Sequence, residues 1–389
     1  MSILLILGFS GLFLGYKYFI NEYDERITDT ILEPRAHIST DGPYILYDKD
    51  SVQTIYVDDE EGDYAIQKHK TSIDEFDRKV EVKVFTHDQK EKEIFSVSLA
   101  DTLEATPSEY LASQKIMAIS NIEGNFYILR KLLRANGIID EDCNWAFGKG
   151  HLVLMGDFVH RGLNVTQCLW LCYKLEQQAK DAGGAVHFLL GNHEAMNMYG
   201  DLVHVRSKYK RLAEKLGMDY SGDILGENSE LGRWLRKKNV VEKIGNYLFV
   251  HGGLSKRIVN LKISIDSLNK YARHYYGVDY DHIRADPMAG LVFGKWGPLW
   301  YRGYMRNPKD TVLQEIQSIQ QAFGVDHIVI GHTEVEAIKL IHGRNLVNIN
   351  VPYPRYNQAD QRGYALWIEN QTFYATDDLG HRVELKETQ

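Results

Sequence analysis

Apolar residues follow three different rhythms along the 389-residue chain. In MSILLILGFSGLFLGYKYFI, residues 3–20 are almost uniformly apolar, with Lys17 the one charge. That length is close to the roughly 20 residues that span a bilayer, and Lys17 near one end suits snorkelling to the interface. A cleaved signal peptide is the rival reading, but no Lys or Arg precedes the run and no A-x-A-like site follows it. The expectation is an uncleaved membrane anchor or signal segment over residues 1–22, with the protein membrane-associated. The flanking charges are too few to fix the side of the membrane, and a cleaved segment would instead export the chain. Residues 23–40 are polar, contain Pro34 and end in a Ser-Thr pair, which reads as a linker.

From residue 41 to 111 the rhythm has period two. YILYDKDSVQTIYV and RKVEVKVFTHDQKEKEIFSVSLA each read as two β-rich runs around a polar turn, the signature of hairpins. They predict a small all-β accessory module. After Pro107 short apolar runs, KIMAIS, HLVLM and AVHFLL, are separated by stretches with apolar residues at helical spacing. These are FYILRKLLRANG and the long amphipathic NVTQCLWLCYKLEQQAKDAGG, each ending in glycine. NYLFV and HIVI repeat the strand pattern further on. Strands alternating with helices predict an α/β domain over residues 112–389, its strands largely parallel and buried on both sides. Function in such sheets gathers in the loops beyond the strand carboxyl ends.

Composition narrows the class only a little. With 44% hydrophobic and 25% charged residues, the chain beyond its first segment fits a globular protein. Lys plus Arg total 45 against 53 Asp plus Glu, a net charge of -8, so no nucleic-acid partner is expected. Cys143, Cys168 and Cys172 make neither a disulfide framework nor a doubled CxxC metal site. Cys168 and Cys172, four apart in a helical pattern, read as small core residues.

The chemistry lies just past the strands. KIMAIS is followed by Asn121, Glu123 and Gly124; HLVLM by Gly156, Asp157, His160 and Arg161; AVHFLL by Gly191, Asn192, His193 and Glu194. NYLFV ends in His251-Gly-Gly, and HIVI in Gly331-His332-Thr333. One such loop is an ordinary turn. Five in series, mixing oxygen donors with imidazoles and placing glycine beside them, form a ligand set for Mn, Fe or Zn. Asp157, Asn192, His251 and His332 would give one ion a carboxylate, an amide oxygen and two imidazoles, and Asp157 is the natural bridge to a second ion.

GDFVHRG at 156–162, GNHE at 191–194, HGGLS at 251–255 and GHT at 331–333, in that order, resemble the calcineurin-like metallophosphoesterase superfamily and its phosphoprotein-phosphatase branch. LLGNHEAMNMYGDLVHV and GPLWYRGY look most like the Shewanella-type bacterial protein phosphatases. The resemblance covers roughly residues 113–380. It implies a four-layer αββα sandwich with a two-metal centre; with the departures noted below, one or two divalent ions are expected, manganese first, iron or zinc as alternatives. Carried over, Asp157 bridges, Asn192, His251 and His332 complete one site, and Asn121 and Glu123 stand at the other. His193 would be the general acid. Arg161, Asn192 and Arg302 would bind the phosphoryl group, guanidinium being suited by its planar fork. A metal-activated water would attack phosphorus in line.

Two positions depart from that pattern. Where the family has Asp-x-His-Gly, this chain has Asn121-Ile122-Glu123-Gly124, and where the family has Asp before the Arg, it has His160. His160 either adjoins His193 and lowers its pKa, since two imidazoles disfavour each other's protonation, or turns inward to supply the nitrogen donor lost at residue 123.

The implied function is a metal-dependent phosphomonoester hydrolase of phosphoprotein-phosphatase type, acting on a phosphorylated protein or small phosphomonoester. The alternative is a catalytically impaired, membrane-anchored protein that binds a phospho-ligand. A nuclease or nucleotide phosphodiesterase fits the acidic balance less well. Residues 195–245 read as a helical cap or a lid, locally basic through Lys208, Lys210, Arg211, Arg233, Arg236, Lys237 and Lys238, a charge that suits an anionic substrate or a solvated face. Trp300 and Tyr301, beside Arg302, read as core more readily than as a stacking platform.

Overall fold

Period-two alternation builds the first strands of the structure, a computed structural model that describes residues 40–60, 63–85, 92–353 and 362–387. β1 (Asp41–Asp48), β2 (Ser51–Glu60) and β3 (Asp63–Ser72) form an antiparallel sheet, and β4 (Lys79–Phe85) pairs with β5 (Lys92–Ser98) as a hairpin. In β4, Val80, Val82 and Val84 are buried while Lys79 and Glu81 face solvent, as alternate side chains of a pleated strand must.

That apolar face packs on the helix α2 (Val165–Asp181), which follows α1 (Phe126–Ala135) in the chain. The Trp170 indole N–H donates to the Pro43 carbonyl at 2.9 Å and the Gln167 amide to the Thr40 carbonyl at 3.1 Å. The sequence pattern predicts an amphipathic helix here. Residues 165–175 are instead buried on every face, because the small β-sheets cover the side that the large sheet leaves open.

The remaining strands are β6 (Glu109–Tyr110), β7 (Lys115–Ile119), β8 (His151–Leu154), β9 (Ala185–Phe188), β10 (Val241–Ile244), β11 (Tyr247–Val250), β12 (His327–Ile330), β13 (Lys339–Ile341), β14 (Leu346–Asn348), β15 (Tyr364–Glu369), β16 (Thr372–Asp377) and β17 (Arg382–Glu384). They form two six-stranded mixed sheets, ordered β13-β14-β12-β11-β10-β6 and β17-β16-β15-β7-β8-β9. The five strands whose ends carry the candidate chemistry divide between them: β7, β8 and β9 run parallel in one, β11 and β12 in the other.

Alternation sorts each strand between two cores. Ile116, Ala118, Val153, Phe249 and Val329 share one apolar cluster drawn from both sheets. Met117, Ile119, Leu152, Leu154, Leu248 and Ile328 belong to a second cluster that includes helical side chains such as Leu129 and Leu169. A parallel bridge between Leu189 and Asn239 stitches the two sheets together near the site.

The membrane-anchored placement requires correction. Among the described residues no helix is long and apolar enough to cross a membrane. Residues 1–22, on which that expectation rested, lie outside the described residues, as does nearly all of the 23–40 segment.

Candidate active site

Parallel registry brings the decisive loops side by side: Ile119 lies opposite Leu154, Leu154 opposite Phe188, and Val250 opposite Ile330. The chain turns sharply as it leaves these strands. Asn121, Glu123, Asp157, His160, Arg161 and His332 all have φ between 50° and 73°, the left-handed region that costs a non-glycine residue about 1–3 kcal/mol and persists where the surroundings over-determine it. Glycine is required where two loops touch. A Cβ on Gly156 would lie 2.3 Å from the Gly191 nitrogen, and one on Gly191 would lie 2.2 Å from Asp157 Oδ1.

Glu194 holds the two loops together. Its buried carboxylate accepts the backbone N–H groups of Asp157 at 2.9 Å, Phe158 at 2.8 Å, Val159 at 3.2 Å and Gly191 at 2.8 Å. The helix α3 (Asn192–Met198) starts here, so Glu194 also satisfies a donor at its N-terminus. Burial, and then the Asp157 carboxylate, push the Glu194 carboxyl above its ordinary range, while these N–H groups oppose the rise.

Asp157, His251 and His332 each offer a ligand atom within 4.8 Å of the others, and all three are buried. His251 Nδ1 lies 2.7 Å from the Met155 carbonyl and must donate to it, leaving Nε2 to face Asp157 Oδ2 at 3.2 Å and Asn192 Oδ1 at 3.1 Å. An imidazole nitrogen between two oxygens calls for a positive charge there, a proton or a metal ion. Burial would lower the His251 pKa, but the Asp157 carboxylate reverses this and raises it. His332 Nε2 is buried without a hydrogen-bond partner among the described residues, and burial, with His251 next, lowers that imidazole to about 2. One carboxylate, one amide oxygen and two neutral imidazoles fit a divalent transition metal.

The first strand's loop presents itself differently. Asn121 Oδ1 accepts from the Ser120 hydroxyl at 2.5 Å and from the His332 backbone N–H at 3.4 Å, and its Nδ2 donates to Asp157 Oδ2 at 3.0 Å. The Glu123 carboxylate pairs with the Arg161 guanidinium. Glu123, Asp157 and His193 also place one ligand atom each within 4.8 Å of one another.

His193 is buried, its backbone N–H donating to Asp157 Oδ1 at 3.0 Å, while its Nδ1 has no hydrogen-bond partner among the described residues and lies 3.9 Å from Asp157 Oδ2. His160 adjoins it, ring centroids 4.7 Å apart, and bonds through Nε2 to Asn197 Oδ1. His204 joins the group at 5.3 Å from His193. Burial, partly opposed by Asp157 and reinforced by His160, holds the His193 imidazole well below its ordinary pKa. Arg302 Nη1 donates to the His332 carbonyl at 3.0 Å and to Thr333 Oγ1 at 3.3 Å.

Several cations of the basic 195–245 segment serve the interior. Lys208 pairs with Asp41 and Lys238 with Glu176, both lysines buried. The Arg236 guanidinium donates to the carbonyls of Leu225 and Gly232, and Arg233 lies over the Tyr47 ring. Tyr301 is buried with its hydroxyl on Glu315, and Trp300 meets His332 edge-on at 5.6 Å. All three cysteines are free and buried. Sequence reasoning missed the parts played by Glu194, Asn197 and His204. Only the Gly-x-x-Glu spacing at the start of α3 signalled the first, as a helix-capping pattern.

A family model for the calcineurin-like phosphoesterases matches residues 114–336. The chain belongs to the calcineurin-like phosphoesterase family. It is similar to Shewanella-like protein phosphatase 1 of Plasmodium berghei, with 26% identity over 262 residues, covering 63% of this chain and 72% of the relative. Shewanella-like protein phosphatase 2 of Arabidopsis thaliana shares 22% over 286 residues, 60% of this chain and 70% of its own length. The crystal structure of the cold-active protein-tyrosine phosphatase of a psychrophilic Shewanella superposes with a TM-score of 0.77 at 31% identity, covering 90% of this chain and 100% of that one. The metallophosphoesterase fold, with its mixed sheets, is therefore shared, and membership implies a hydrolase that works with divalent metal ions.

Proposed function

We propose that the chain is a metal-dependent phosphomonoester hydrolase of the phosphoprotein-phosphatase type. The observation that carries this reading is the convergence of Asp157, Asn192, His251 and His332 from four loops and both sheets, with His251 Nε2 facing two oxygens. On this reading residues 112–389 are the catalytic domain, a four-layer αββα sandwich, and residues 41–98 an accessory module laid on α2; the boundary expected at residue 111 moves back, because β6 (Glu109–Tyr110) pairs with β10 in one of the large sheets.

A divalent ion held by Asp157, Asn192, His251 and His332 supplies Lewis-acid polarisation and a water of lowered pKa. The protein's own groups do the rest. Arg302, steadied by the His332 carbonyl and Thr333, and Arg161, steadied by Glu123, grip the phosphoryl oxygens through charge-assisted hydrogen bonds. Asn192 adds an amide contact. His193 protonates the leaving alkoxide, and its fixed backbone bond to Asp157 holds it at the reacting group. The substrate is a phosphorylated protein or a small phosphomonoester.

Release of phosphate from phenyl phosphate in the presence of Mn, Fe, Zn or Co tests the reading. Turnover that Asp157→Asn abolishes is the expected result, and no turnover above that variant with any of the four metals overturns it. The Asn121 and Glu123 substitutions favour a second reading, a phospho-ligand binding protein of low activity. There, repair by Asn121→Asp, Glu123→His and His160→Asp together should raise turnover greatly. A wild type already as fast as the repaired protein rules this second reading out.

A further inference from the structure

The two ligand clusters share Asp157 and so mark two adjoining places for cations, but they are unequal. Around the first, His332 Nε2 has no hydrogen-bond partner among the described residues, and His251, whose Nδ1 is committed to the Met155 carbonyl, faces Asp157 and Asn192. Around the second, the Glu123 carboxylate already holds the Arg161 guanidinium, a cation that no accessible pH discharges.

Asn121 adds to the inequality. The His332 backbone N–H and the Ser120 hydroxyl fix its oxygen on their own side, because an N–H donor requires an acceptor facing it. Its amide N–H is thereby turned onto Asp157 Oδ2 at 3.0 Å. The second place is thus half-buried and bordered by a guanidinium, which offsets the Glu123 carboxylate that would otherwise attract a further dication, and by the positive end of an amide dipole, which repels one.

We propose that the centre is mononuclear: one divalent ion sits among Asp157, Asn192, His251 and His332, and the Arg161–Glu123 ion pair with the Asn121 amide takes the place of a second. This rests on the metal-dependent reading above. The fixed cation supplies the charge at that side of the phosphoryl group, and His193, which no second ion claims, keeps its side-chain nitrogen for the proton.

The test is metal content, read without turnover. The full-length protein is saturated with Mn(II), freed of excess ion and analysed for manganese per chain, with the Mn(II) paramagnetic resonance spectrum recorded alongside. One ion per chain and the six-line spectrum of an isolated ion are expected. Glu123→Gln should leave the content at one. The double variant Asn121→Asp with Glu123→His should raise it about twofold and give the spectrum of a coupled pair. Two ions per wild-type chain, or a coupled spectrum, overturns the mononuclear centre and leaves the hydrolase reading standing; loss of the ion in Glu123→Gln does the same. No bound ion under any condition overturns both. Should the double variant fail to fold, the wild-type content and spectrum still decide.

Discussion

Glu194 accepts the backbone N–H of Asp157 at 2.9 Å, and through that bond a residue of the third loop sets the position of the carboxylate on the second. Three further N–H groups converge on the same two oxygens. Glu194→Gln puts an amide N–H2 against donors and discards the charge. Hydrogen bonds to buried charged groups are worth about 1.5–3 kcal/mol each, so the melting temperature and the metal affinity should both fall. A variant that melts with the wild type and binds manganese equally well contradicts the assignment.

Asp41 and Lys208 form a second hidden link, with Nζ 2.5 Å from Oδ2 and both side chains buried. Lys208 Nζ also donates to the Leu163 carbonyl, two residues beyond Arg161. Asp41→Asn strands a buried ammonium, and breaking such a pair from one side costs about 3–5 kcal/mol. The joint replacement Asp41→Leu with Lys208→Met should recover much of that loss. Denaturation of the two variants checks this, and an Asp41→Asn protein as stable as wild type would refute it.

His160 beside His193 predicts a pH effect. Burial holds the His193 imidazole below its ordinary pKa and His160 adds to the shift. His160→Asp replaces a neighbouring imidazole by an anion, which favours the imidazolium and raises the His193 pKa. A general acid works only while protonated, so a higher pKa keeps it active to higher pH. The alkaline limb of the kcat/KM profile should therefore move upward in His160→Asp. A limb that stays in place, or moves to lower pH, contradicts the acid role.

Arg302 is held by backbone and hydroxyl oxygens of the loop that carries His332. Arg302→Ala should weaken inhibition by inorganic phosphate roughly tenfold or more, the loss of charge-assisted bonds of about 1.5–3 kcal/mol. Arg302→Lys should recover part of it, since an ammonium restores the charge without the two-pronged geometry. Equal inhibition of all three proteins would remove Arg302 from the phosphate site.

Asp157, Asn192, His251 and His332 were legible in the sequence because each follows at once on a short apolar strand, and parallel registry then places those strand ends together. Glu194 was legible only as a helix cap through the nearby Gly191 N–H, since its other three partners are backbone groups of a loop that only the fold brings near. The same holds for Lys208, Arg233 and Lys238, whose charge looked available for a substrate until partners distant in the chain claimed it, while Arg236 turned to carbonyls of its own segment. α2 was misread as amphipathic because the β-sheets covering its second face come from residues 41–98, far upstream. At Asn121 and Glu123 the residue types marked a departure, but the direction of the amide and the choice of Arg161 as partner depend on three-dimensional neighbours.

The most direct test of the central claim is anomalous diffraction from crystals of the protein soaked in manganese. A peak within coordination distance of Asp157 Oδ2, Asn192 Oδ1, His251 Nε2 and His332 Nε2 is the expected result. A map without a peak among those four atoms, from crystals whose protein releases phosphate with manganese, would contradict it.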